Sequence, residues 1–246
     1  MNGIFPADLA VYLILLPIVG YIFIKHKWTG LLPWYYLSIF CVARIVGGAL
    51  GVQDSSSLAA NIIQSVGISP LILAVDGLVH EARVYRYPSK NPLLGWSVVI
   101  GTTGTMGVAM ALSIIGALDI YEGKAKPDSY SFWKAGSALV VVLWAFQLVW
   151  STISIFHRKE MTYAPTFQGS TALLQGAIVA LLFIGVRVIY NLVAVCTQRR
   201  DLSPVNGSIA VRVVLLFLPE VFATLTLIIV GLRTRHLRQL KQSASY

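Results

Sequence analysis

Long apolar runs separated by short polar breaks organise the whole chain. Runs long enough to cross ~30 Å of hydrocarbon occupy roughly residues 7–24, 31–52, 58–80, 94–118, 132–156, 171–196 and 209–232. A membrane strand would alternate apolar and polar residues at every second position, and these runs do not. The pattern predicts an all-α bundle of seven transmembrane helices. The third run is the weakest, because Asn61, Gln64, Ser65 and Ser69 interrupt it. The breaks leave no room for a soluble domain, so the expected organisation is one membrane domain over residues 1–238 and a polar tail over 239–246.

Composition sharpens this reading. Hydrophobic residues make up 57% of the chain and charged residues only 12%, with a mean hydropathy of +0.74. A soluble domain carries about 25% charged residues, so a soluble protein is excluded. The net charge of +9 sorts by loop. With the N-terminus outside, the cytosolic segments hold 11 basic residues, among them Lys25, Arg83, Arg86, Arg158 and Arg233, and the opposite side holds 6. The excess of Lys and Arg therefore predicts N-out, C-in. It also accounts for the basic character through contact with anionic lipid rather than nucleic acid. A multi-pass protein of the endoplasmic reticulum membrane is expected. The first run lacks a preceding basic region and a small-residue cleavage site, so it is expected to be a retained helix.

Several smaller features read as architecture. Cys41 and Cys196 both fall within runs and are expected to be small buried residues. His26, His157 and His236 are expected in loops or the tail, so no metal site and no cofactor are anticipated. Tryptophans and tyrosines near the run ends, including Trp28, Trp34, Tyr85, Trp96 and Trp133, read as an interfacial aromatic belt. Gly101, Gly104 and Gly107 suggest a close helix–helix packing face on the fourth run. Spans 2 and 6 run in the same direction, and each carries an arginine past mid-depth. Spans 3 and 7 each carry a proline followed by an acid, Pro70 with Asp76 and Pro219 with Glu220. That pattern suggests two parallel three-helix repeats joined by span 4.

Charges inside the runs carry the candidate chemistry. A charge at bilayer mid-depth costs ~2.5–3.5 kcal/mol on insertion scales, so Arg44, Arg187 and Glu220 require partners or a polar cavity. Two readings of Glu220 stand open: a general acid held in an apolar pocket, or one member of a structural ion pair with Arg187 or Arg44. If Glu220 is ionised and paired, binding or shape is the reading; if neutral, acid catalysis. Arg187, Tyr190 and Asn191 share one helical face, and with Arg44 they form either a ligand-head site or an interhelical network. Asp8, at the mouth of span 1 above Tyr12, is the second candidate acid, although a capping or solvated role fits it better. Gln64 is a further candidate ligand contact. Trp144 is another, through the face of its ring. Asp76 and His80 have the i, i+4 spacing of a local pair.

Phe5-Pro-Ala-Asp-Leu-Ala-Val-Tyr12, Phe40-Cys-Val-Ala-Arg-Ile-Val-Gly-Gly48 and the pattern of spans 6 and 7 resemble a fungal family of small seven-helix membrane proteins. That family is similar to the integral membrane terpene cyclases of meroterpenoid pathways of the ascochlorin and macrophorin type. The resemblance implies metal-independent, acid-initiated cyclisation of a prenylated, epoxidised substrate, alongside other enzymes of the same pathway. It supplies no active-site motif. The Trp-Glu pair of the indole diterpene cyclases is absent from the early helices here. Arg187-x-x-Tyr190 followed by Glu220 resembles the fungal lipid-translocating exporters, which implies a transporter or sensor of lipophiles instead. In either case the expected partners are a lipophilic small molecule and membrane lipids.

The triplet Asn206-Gly207-Ser208 lies on the predicted outer side. Expressed in glycosylation-competent microsomes, the chain is expected to shift on endoglycosidase treatment. The shift should vanish in Asn206→Gln, and an unmodified wild-type chain would count against a lumenal sixth loop.

Overall fold

The computed structural model describes residues 4–26, 30–54, 57–86, 92–121, 127–156, 166–198, 202 and 207–237. Asn206 and the 239–246 tail lie outside these residues. Among the described residues the chain is helical and has no strand: α1 (Ile4–His26), α2 (Leu31–Gln53), α3 (Leu58–Val66), α4 (Ser69–Arg86), α5 (Pro92–Tyr121), α6 (Pro127–Phe156), α7 (Phe167–Thr197), α8 (Ile209–Arg212), a π-helical segment over Val213–Phe217, and α9 (Leu218–Thr234). Seven helical spans are long and apolar enough to cross a membrane. The protein is a multi-pass membrane protein. Helices satisfy every backbone hydrogen bond internally, which hydrocarbon demands.

Consecutive spans pack side by side. α2 lies on α1 and α4, α5 on α6, and α7 on α4, α6 and α9, while α9 also touches α1. The third span is central: 83% of its most apolar stretch is buried, against 28% for the first span. Its polar residues, which weakened it as a sequence signal, face protein rather than lipid. The span also runs six residues beyond the expected end at His80. There Glu81 pairs with His26, Arg83 donates to Ser154 and Arg86 donates to Thr171 and the Ile155 carbonyl.

Two proline-containing spans depart from the regular α-helix. Pro70 has no N–H for the Val66 carbonyl, and its ring would collide with that carbonyl in a continuous helix. The third span therefore breaks between α3 and α4, and the Ser69 hydroxyl donates to Val66 O at 3.1 Å. In the seventh span a π-turn precedes Pro219, with Leu218 N donating to Val213 O. Both irregular stretches lie in the same half of the bundle as the N-terminus of α1.

Three architectural expectations change. Gly101, Gly104 and Gly107 face open space, with nothing within 4 Å of an added Cβ. The close approach of α5 and α6 rests on Gly116 and Gly136 instead. Trp34, Tyr85 and Trp133 are buried against other helices rather than facing outward, and Cys196 is exposed. A Cβ on Gly136 would sit 2.6 Å from the Ala109 carbonyl and 2.8 Å from the Ser113 nitrogen. In thermal unfolding in detergent, Gly136→Ala is expected to lose about 1–3 kcal/mol by overpacking. Gly104→Ala should be neutral, and equal effects at the two positions would contradict this packing.

Candidate functional site

The site starts from how closely the first two helices approach. A Cβ on Gly48 would lie 3.0 Å from both the Phe5 carbonyl and the Leu9 nitrogen, so the α1 and α2 backbones touch there. Arg44 is one turn before Gly48, and Asp8 is one turn after Phe5. Backbone contact at the glycine thus brings an acid and an arginine to the same level. Gly67, at the end of α3, leaves room for the Arg44 guanidinium, whose Cζ would lie 3.4 Å from a Cβ at that position.

Glu220 Oε1 joins the two arginines. It accepts a short hydrogen bond from Arg44 Nη2 and one of 3.0 Å from Arg187 Nε. Gln64 closes the circuit from the third span. Its side-chain oxygen accepts from Arg44 Nη1 at 2.8 Å, and its backbone carbonyl accepts from Arg187 Nη2 at 2.8 Å. That carbonyl is free to do so because the helix breaks before a donor one turn later can take it. Asp8, Arg44, Arg187 and Glu220 are exposed by 1%, 1%, 0% and 1%. Two positive and two potentially negative groups from four spans therefore share one enclosed volume. Moving an unpaired ion of this size into hydrocarbon costs of order 20 kcal/mol, so the charges are tolerated only together.

The cluster retains unused hydrogen-bonding capacity. Among the described residues, Asp8 Oδ1 and Oδ2, Tyr12 Oη, Arg44 Nε, Gln64 Nε2, Arg187 Nη1 and Glu220 Oε2 are buried without a hydrogen-bond partner. Asp8 faces the Gln64 amide and lies within electrostatic reach of Arg44, Glu220 and Arg187. Tyr12 faces Thr224, one turn beyond Glu220. The Tyr12 ring meets Phe40 edge-on at 5.4 Å, and Arg44 stacks over Phe40 at 5.2 Å. The set has both donors and acceptors aimed inward, suited to an oxygen-bearing group.

The structure sorts the expected residues clearly. Arg44, Arg187, Glu220 and Gln64 come together as one network, and Asp8 joins it rather than facing solvent. Trp144 does not: its indole N–H donates to the Leu181 carbonyl at 2.8 Å and its ring packs against Gly185. Tyr190 lies near Arg187, but its hydroxyl donates to the Leu202 carbonyl at 2.8 Å. It ties Leu202 to α7. Asn191 is half-buried with Oδ1 unpartnered, and among the described residues no hydrogen bond joins it to the network.

Two other polar clusters replace expected features. Asp76 does not pair with His80. It accepts from Thr102 Oγ1 and Gln147 Nε2, both at 2.5 Å, while His80 packs on the Trp96 ring at 5.1 Å. His26 is not in a loop: it sits buried on the last turn of α1, its Nδ1 2.9 Å from Glu81 Oε1 and its Nε2 3.1 Å from the Gly231 carbonyl. Sequence reading missed that pair, although His26 and Glu81 end the first and third spans on the same predicted side. It also missed Arg212, buried at the start of the seventh span. Among the described residues no three His, Cys, Asp or Glu side chains meet to hold a metal.

The family model described as a domain of unknown function, DUF7702, matches residues 1–237. The chain belongs to that family. No curated protein and no solved structure matches it.

Glu220→Gln would leave two buried guanidiniums facing a neutral amide. It is expected to cost about 3–5 kcal/mol, read as a large drop in the unfolding midpoint in detergent. A variant as stable as wild type would show that the carboxylate does not hold the bundle together.

Proposed function

We propose that this family member binds the oxygenated head of a lipophilic amphiphile inside the bilayer and acts as a transporter or sensor of such molecules. The supporting observation is the state of Glu220. One of its oxygens is shared by two guanidiniums, which occupies it as an anchor and argues against its use as a free general acid. Around that anchor, Asp8, Tyr12 and Gln64 keep buried polar atoms without a close partner among the described residues. The two irregular spans favour movement over chemistry. A broken third span and a π-turn in the seventh line the site, and discontinuous helices of this kind frame substrate sites in many transporters. Each also offers a place where a helix can bend at low cost.

Acid-initiated terpene cyclisation is the second reading, and Asp8 is the observation that favours it. Its carboxyl group is buried beside Tyr12 and faces the neutral Gln64 amide rather than a guanidinium at hydrogen-bond distance, so in this reading it replaces Glu220 as the proton donor. In that reading Asp8 protonates the oxygen of an epoxide and the C–O bond opens. Alkene π electrons then close a ring, and the final cation returns a proton. The product is an isomer of the substrate and the acid is restored.

One experiment separates the readings. The chain is reconstituted in vesicles and supplied with a prenylated aromatic epoxide. Redistribution across the bilayer without change of mass or retention time is expected. Asp8→Asn and Tyr12→Phe are each expected to slow it about tenfold, the loss of one charge-assisted or neutral hydrogen bond. A product of equal mass and new retention time, absent in Asp8→Asn, would establish cyclisation instead. Neither movement nor conversion would leave the cluster with a purely structural role.

A further inference from the structure

The ligand class of this site follows from its charge. The inference rests on reading the cluster as a ligand site, and it concerns what that ligand carries. Arg44 and Arg187 contribute two permanent positive charges, because guanidinium stays protonated in proteins. Glu220 accepts from both and balances one of them. Asp8 is the fourth member, and its carboxylate balances the other. With both acids ionised the enclosed set is neutral, as a low-dielectric interior requires.

A ligand that adds charge must therefore be compensated. Among the described residues, the donors of the cluster without a close partner are Arg44 Nε, Arg187 Nη1, Gln64 Nε2 and the Tyr12 hydroxyl. Two of these belong to guanidiniums, which favour oxyanions over neutral oxygen. An anion brought to those donors would leave the set at minus one. Neutrality is restored by one proton, and the geometry shows where it goes. Glu220 is bound through Oε1 by two guanidinium donors, whereas among the described residues Asp8 has no guanidinium within hydrogen-bond distance and faces only the neutral Gln64 amide.

We infer that the site takes an amphiphile with a singly charged acidic head, and that each anion enters with one proton, which is carried by Asp8. The charged or titratable groups facing Asp8 are Tyr12 on its own helix, Arg44 on α2, Arg187 on α7 and Glu220 on α9, with the Gln64 amide on α3. Arg44 and Arg187 are already protonated and the neutral Tyr12 hydroxyl has no proton to gain, while Glu220 is engaged by both guanidiniums. The proton and the anion arrive together, so the net charge inside the bundle does not change. A neutral alcohol of the same chain length would need no proton.

The test uses the full chain in nonionic detergent with two probes, hexadecyl sulfonate and hexadecanol. A sulfonate stays ionised throughout, so any pH dependence belongs to the protein. Sulfonate affinity is expected to fall with rising pH, by about tenfold per unit at the steepest, with one proton taken up per molecule bound in weakly buffered solution. Hexadecanol binding should be flat with pH. In Asp8→Asn the sulfonate slope and the proton uptake should both disappear. Sulfonate binding without proton uptake, or a slope that survives in Asp8→Asn, overturns this inference but leaves the ligand-site reading intact. If neither probe binds at any pH, both fall. If Asp8→Asn does not fold, the absence of proton uptake when the wild-type chain binds sulfonate still overturns the inference.

Discussion

A single carboxylate oxygen governs the centre of this bundle. Glu220 Oε1 is held by Arg44 from the second span and Arg187 from the sixth, and both arginines also bond Gln64. Four spans thereby share one register. Helices in lipid have no hydrophobic drive toward each other, because lipid tails are as apolar as their own surfaces. Specificity must come from packing and polar contacts, and here the polar contacts converge on one point. Small residues complement them, since Gly48 lets α1 and α2 touch and Gly67 clears space for a guanidinium. Losing either would move a charge, not only a contact.

The irregular backbone belongs to the same design. In water a carbonyl freed by proline finds solvent, but in a bilayer it must find protein. The carbonyl released at Gln64 finds Arg187, and the one at Val66 finds a serine hydroxyl. The helix break and the buried arginine are therefore mutually dependent. The break supplies an acceptor the arginine needs, and the arginine supplies a donor the break needs.

Much of the fold was legible in the sequence because hydrocarbon imposes a length and a polarity on each span. All seven runs appear as helices, and their ends differ by a few residues. The third span misled at both levels: its polar residues looked like weakness, yet a central helix surrounded by protein can carry Asn61, Gln64 and Asp76 at no lipid cost. Arg44, Arg187 and Glu220 were legible as a set, since each is too costly to stand alone. Asp8 was misjudged because position near a helix start suggests solvent, whereas the α1–α2 contact at Gly48 encloses it. Tyr190 was assigned to a ligand from spacing and Trp144 from its ring chemistry, and neither signal names the neighbour a side chain meets. The Gly101–Gly107 stripe failed for the same reason: small residues permit close packing and do not require it.

The order of the chain gives the four charges a history. Arg44 is made 176 residues before Glu220, so during synthesis it must enter the membrane long before its final partner exists. Asp8 is already present on the adjoining helix, at the same level, when the second span inserts. The first hairpin is thus self-neutralising as a unit. Arg187 and Glu220, only 33 residues apart, form a second such unit at the other end of the chain. Each half can be threaded into lipid as a charge-balanced pair, and the finished site arises when Glu220 exchanges a private partner for a shared one. In the finished protein Glu220 bonds both arginines, while Asp8 stays within electrostatic reach of Arg44 without bonding it.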